Sequence, residues 1–226
     1  EKFMKSKKDV VKNEYHEKAL ALRKSNKIIS IKMFDKYDDE NTKITFTNIV
    51  FVFFICAVIG FLVETAFVFL AYGKFVNRGM TYGPYCTIYG VGGVILYLFF
   101  HNVKPKKANI PYTFISTALV MGAFELVSGL ILKHVFGIEM WNYDKEFLPI
   151  LHYTSVPVMI GWGILATLYV FFVQPLLLKI ISLLPKNITK RLAIIIIIIY
   201  TLDLGFSTLN IYTNPEVLYK LVNPDI

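Results

Sequence analysis

Residues 49–72 read IVFVFFICAVIGFLVETAFVFLAY, an apolar run with a single charged side chain, Glu64. As an α-helix rising 1.5 Å per residue this run spans about 36 Å, enough to cross a hydrocarbon layer of about 30 Å. It lacks the two-residue alternation of a strand, and a helix satisfies its own backbone hydrogen bonds in lipid. Four further apolar blocks follow at 85–100, 110–136, 155–181 and 192–212. Turn or charge signals separate them: Gly73 with Lys74, Gly83 with Pro84, Pro105 among Lys104, Lys106 and Lys107, Gly137 through Pro149, and Pro185 through Arg191. The 226-residue chain is 55% hydrophobic and has a mean hydropathy of +0.54 although 18% of it is charged, so its apolar residues are concentrated in blocks. Disorder is excluded and an ordinary soluble domain is disfavoured. The expected fold is all-α: a polytopic helical membrane protein with about five transmembrane helices, the second block being the shortest.

Orientation follows from the basic residues. Of 24 Lys and Arg, twelve fall in 1–43 and seven more in the 101–109 and 179–191 segments. The opposite side carries only Lys74, Arg78, Lys133, Lys145 and Lys220. The positive-inside rule then places the N-terminus in the cytoplasm and the C-terminus outside a cell membrane. The net charge of +8 is a topology and lipid-surface signal, and no nucleic-acid partner is implied. Three pieces result: a basic, amphipathic cytoplasmic segment over 1–45, a helical bundle over 46–213, and a short extracytoplasmic tail over 214–226. The first either lies on the anionic leaflet or packs on a partner, or it is a solvated topogenic tail. Nothing in it resembles a secretory signal peptide.

The two cysteines carry no disulfide expectation. Cys56 lies sixteen residues before the outer end of its span, about 24 Å along the axis, and Cys86 is expected near the outer surface. No Cys or His pair has ligand spacing, so neither a metal nor a cofactor is expected.

An internal repeat carries acids into the membrane. Gly60 precedes Glu64 and Gly122 precedes Glu125 by about one helical turn, and Ala57 and Ala118 each lie seven residues before the acid on the same face. Each acid-bearing span is followed by a loop rich in Gly, aromatic and polar residues, containing Asn77, Arg78, Gly79 and Tyr82 in one case and Trp141, Asn142 and Tyr143 in the other. Each loop leads to a glycine-bearing helix, with Gly90, Gly92 and Gly93, then Gly161 and Gly163. Two parallel two-helix repeats plus a fifth helix follow. A carboxylate facing lipid costs about 2.5 to 3.5 kcal/mol even on insertion scales, so Glu64 and Glu125 are expected to face the bundle. There they are either protonated, or ionised and paired. Asp203 adds a third acid, with Ser207 and Asn210 on the same polar face. Against a functional reading, an intramembrane Glu can simply tie helices together, Arg78 can snorkel to the interface, and Trp141, Tyr143, Phe147 and Tyr153 form an aromatic belt. No GxxxxGK[ST] phosphate loop occurs in these residues.

Gly60-x3-Glu64, Asn77-Arg78-Gly79-x2-Tyr82-Gly83-Pro84-x-Cys86-x-Ile88-Tyr89-Gly90, Glu125 and Trp141-x-Tyr143 together resemble the ABC-transporter type IV permease family of small bacterial polytopic membrane proteins, over roughly residues 50–205. Thr87 stands where that family usually has Pro, and Asn142 where it usually has an acid; here the acid is Asp144. The resemblance implies a transport component and marks Glu64, Asn77, Arg78, Gly79, Gly83, Pro84, Cys86, Tyr89, Gly90, Glu125, Trp141 and Tyr143. The candidate substrate- or ion-binding residues are accordingly Glu64, Asn77, Arg78, Tyr82, Tyr89, Glu125, Trp141, Tyr143 and Asp203. The outer loops are expected to fold back so that Arg78 approaches Glu64 or Glu125. The first function expected is a permease- or channel-like subunit for a cation, proton or polar solute, working as a homodimer or with a separate ATPase or other partner. The alternatives are a membrane-embedded enzyme acting on a lipid-linked or extracytoplasmic substrate, and a non-catalytic membrane scaffold.

Overall fold

The computed structural model describes residues 44–74, 80–103 and 109–214. The chain divides into two compact units, Glu1–Lys43 and Ile44–Ile226. The amphipathic segment expected over 1–45 lies, but for its last two residues, outside the described residues, as does the tail after Asn214.

The second unit is built from α1 (Phe46–Tyr72), α2 (Thr87–Phe100), α3 (Ile110–Phe136), α4 (Val156–Leu168), a π-helical turn (Tyr169–Val173), α5 (Gln174–Leu183) and α6 (Lys186–Thr213). Helices α1 and α3 share the same end chemistry. Thr45 and Asn109 cap their starts by accepting the amides of Asn48 (3.1 Å) and Tyr112 (3.3 Å). Gly73 and Gly137 end them in the left-handed region, at φ 67° and 70°, which costs a glycine nothing. Their amides return to the carbonyls of Phe69 and Lys133. The ends bearing Gly73 and Gly137 are called the glycine-capped side below.

Helices α1, α3, α4–α5 and α6 are each long and apolar enough to cross a membrane. Large apolar side chains such as Phe46, Leu70, Phe172 and Leu183 stand exposed on them, as lipid-facing surface requires. Helix α2 has 14 residues and rises about 21 Å, less than a full crossing. It is short because it begins below the surface: the Cys86 amide donates to the Ala57 carbonyl at 2.8 Å, and Ala57 lies fifteen residues, about 22 Å, along α1 from Tyr72. Cys86 is therefore buried at depth, contrary to its expected place near the outer surface. The 80–86 segment dips into the bundle, and irregular backbone at such depth persists only where its polar groups are met. Asp203 and Ser207 of α6 meet them.

Two antiparallel hairpins, α1–α2 and α3–α4, make up the bundle, and glycines let each close tightly. A Cβ added at Gly90 would come within 2.8 Å of Phe53, and one at Gly163 within 2.8 Å of Phe114 and Ala118. Helix α6 covers the first hairpin. Tyr200 packs edge-on against Phe53 at 4.9 Å and touches Tyr85, and its hydroxyl pairs with the Thr87 hydroxyl at 2.8 Å. The sequence suggested an α6 start near 192, but the helix begins at Lys186, because the Pro185 carbonyl accepts the Ile188 and Thr189 amides and starts the first turn. Ala193, near the start of the isoleucine run, is buried.

In the fourth span the π-turn precedes Pro175. Proline has no amide proton and crowds the preceding turn, and a wider turn accommodates it. Before this span, 149–155 form a two-residue antiparallel pair, Pro149 opposite Ser155 and Ile150 opposite Thr154, which the apolar pattern did not anticipate. Leu148, Leu151 and His152 sit at φ 50°, 49° and 68°, a strained region for branched or bulky residues. The chain leaves this turn with Thr154 and Ser155 both buried.

Candidate functional site

Each hairpin places its acid in the same way. Phe53, Ala57 and Glu64 on α1 correspond to Phe114, Ala118 and Glu125 on α3, all sixty-one residues later; Tyr89-Gly90 corresponds to Trp162-Gly163. In each hairpin the glycine closes on the phenylalanine, and the aromatic residue before it reaches the acid. The Tyr89 hydroxyl donates to Glu64 Oε1 at 2.6 Å, and Trp162 lines the same cavity as Glu125. Tyr89 and Trp162 meet between the hairpins with ring centroids 5.6 Å apart.

Glu125 is 5% exposed and holds together four pieces of chain. Tyr143 donates to its Oε1 at 3.0 Å and Thr154 to its Oε2 at 2.9 Å, while Trp162 approaches from α4. All of these donors are neutral. Tyr143 is brought in by its own backbone amide, which donates to the His152 carbonyl at 2.8 Å, so the strained 148–152 segment and the tyrosine form one device. Burial and the adjacent Glu125 carboxylate push the Tyr143 phenol up, so it remains a donor.

Both acids line one cavity of about 440 Å³, together with Phe67, Cys86, Tyr89, Trp141, Tyr143 and Trp162. A second cavity of about 230 Å³, bounded by Cys56, Gly60, Leu96, Met121, Tyr169 and other apolar residues, lies beside it, and Tyr89, Trp162 and Leu165 line both. Of the residues singled out from the sequence, Glu64, Tyr89, Glu125, Trp141 and Tyr143 thus come together. Trp141 is also anchored, its indole donating to the Tyr153 carbonyl at 3.0 Å.

Asp203 does not join them. Its oxygens accept from the backbone of Tyr82 (3.0 Å) and Gly83 (2.7 Å), from the Tyr85 hydroxyl and from Ser207 (2.9 Å). Tyr82 itself is largely exposed. This carboxylate is the fastening of the dipped 80–86 segment, whose last residue, Cys86, forms part of the cavity wall. Asn77 and Arg78, and with them the expected approach of Arg78 to an acid, lie outside the described residues. Asp144, the acid displaced from the family's usual position, pairs with His152 in the exposed loop away from the cavity.

Sequence reasoning missed Trp162 and Thr154. Trp162 had a signal, an aromatic residue directly before a glycine in each half. Thr154 had none, since its place depends on the left-handed turn before it. Among the described residues no group of three His, Cys, Asp or Glu side chains is arranged to hold a metal ion.

The family model described as "Putative ABC-transporter type IV" matches residues 51–208, which include all but the first turn of the first hairpin, the whole of the second, both acids and Asp203. No curated protein and no solved structure matches the chain significantly. The match covers well over half of the 226 residues, and with the apolar helices around it the conclusion is that the chain belongs to this family and is a membrane-embedded, transport-related component.

Proposed function

We propose that the chain is a permease- or channel-like subunit whose cavity between the two hairpins takes a cation or a polar solute at Glu64 and Glu125. One observation carries this reading: the acid of each repeat faces a single aromatic-lined cavity near the glycine-capped side. Intramembrane acids are costly, and two placed equivalently on one cavity suit a solute path better than two unrelated helix ties. The glycine-capped side is the extracytoplasmic one in this reading, since nineteen of the 24 basic residues fall at the other. Energy from ATP would come from a separate ATPase, and a homodimer would complete the path through a bundle with few spans.

The test uses the two tryptophans, Trp141 and Trp162, which are the only ones in the chain and both line the cavity. Purified protein in neutral maltoside micelles is titrated with Na⁺, K⁺ and tetramethylammonium while tryptophan emission is recorded. A saturable change that Glu125→Gln and Glu64→Gln weaken by about tenfold or more, with melting temperatures near wild type, is expected; tenfold corresponds to about 1.4 kcal/mol of lost binding. No saturable response to any of these cations, with the Gln variants only melting earlier, would refute the proposal in favour of a scaffold.

A further inference from the structure

Resting on that reading, we propose that the substrate is a membrane-partitioned amphiphile with an ammonium head, the head held in the acidic cavity and the tail in the apolar cavity beside it. The two cavities have opposite characters and a common wall. The first presents carboxylates among aromatic rings; the second contains no charged residue. An inorganic ion would need a shell of oxygen ligands. Rings of Tyr89, Trp141, Tyr143 and Trp162 offer π faces, which attract organic ammonium groups. Among the described residues the hydrogen-bond donors to Glu125 are neutral, the hydroxyls of Tyr143 and Thr154.

The apolar cavity also indicates the route of entry. Its rim residues Ile59 and Val63 on α1, and Leu165 and Leu168 on α4, are 42% to 53% exposed on the surface that faces lipid. A tail can pass from the bilayer between these helices without leaving an apolar medium, while the head reaches the acids past Tyr89 and Trp162. Since a tail moving from lipid to this cavity gains little, selectivity rests on the head.

Trp162 lines both cavities and Trp141 only the first. In the Trp141→Phe protein, in maltoside micelles, a trimethylammonium amphiphile brominated in mid-chain is expected to quench Trp162 saturably. It should do so at a micellar mole fraction on the order of tenfold below that needed by a sulfate with the same brominated chain. Glu125→Gln should erase this head preference. Gly92→Leu, which fills the apolar cavity, and Val63→Phe at its rim should each reduce the quenching while leaving the tetramethylammonium response in place. Equal quenching by both heads, or quenching unmoved by Gly92→Leu and Val63→Phe, overturns the proposal. If tetramethylammonium still gives a Glu125-dependent response in that case, the cation-site reading stands alone; if it gives none, both fall.

Discussion

Removing the Asp203 carboxylate should release the dipped segment that forms part of the cavity wall. In Asp203→Ala the Gly83 amide and the Tyr85 hydroxyl lose their acceptor, and the Tyr82 amide keeps only Ser207 Oγ at 3.0 Å. Hydrogen bonds to charged groups contribute roughly 1.5–3 kcal/mol each in water-soluble proteins, whereas polar contacts between membrane helices average about 0.6 kcal/mol. Three weakened contacts, discounted because Asp203 is only half-buried, give about 2 kcal/mol against the closed segment. At 1.4 kcal/mol per tenfold, the population of the open segment rises about 30-fold. Cys86 reads this directly, because its thiol is buried when the segment is closed. In a Cys56→Ala background, maleimide labelling of Cys86 should accelerate by about that factor in Asp203→Ala, by less in Asp203→Asn, and least in Ser207→Ala. Labelling at the parental rate, with an unchanged melting temperature, would refute the assignment of Asp203 as the fastening.

Two glycines separate packing from mere composition. Gly129→Ala places a Cβ 2.7 Å from the Tyr153 Cβ and should cost about 1–3 kcal/mol, whereas Gly205→Ala meets nothing within 4 Å and should be neutral or slightly stabilising in a thermal melt. The loop after α3 should respond to acid. Hydrogen bonds from Lys133 (2.7 Å) and Asn142 (2.9 Å) hold the Glu139 carboxyl below its ordinary value. Their contribution is complete above the unfolded glutamate pKa of about 4.3 and is lost as pH falls through the lower folded value. The protection factor of the Ile138 amide, its exchange corrected for the intrinsic pH dependence, should fall on that descent, and Glu139→Gln should remove the dependence.

The helices were legible because a bilayer imposes length: the 49–72 and 110–136 runs became Phe46–Tyr72 and Ile110–Phe136 with little change at either end. The two acids were legible because glycine, alanine and glutamate recur on one helical face, a signal contained in eight residues. The depth of 80–86 was not, because it depends on a bond between Gly83 and Asp203, 120 residues apart. Thr154 was hidden for a related reason: its position follows from three residues with positive φ that carry no sequence signature for it. Asp203 was grouped with the two other acids, since a carboxylate that fastens a loop and one that faces a cavity are the same letter in the same apolar context.

The π-turn at Tyr169–Val173 amounts to one residue more than an α-helix of the same length would hold. Deleting Phe171 or Phe172 would restore regular winding and leave the helix after it in nearly the same rotational position, because the residues of the wider turn sweep about the same angle as one fewer residue in an α-helix. Gln174 would keep the Phe100 carbonyl it reaches at 3.3 Å, and Leu177, Leu178 and Ile181 would stay in the interior. The widened turn therefore absorbs one residue of length in the fourth span without changing which of its sides is inside.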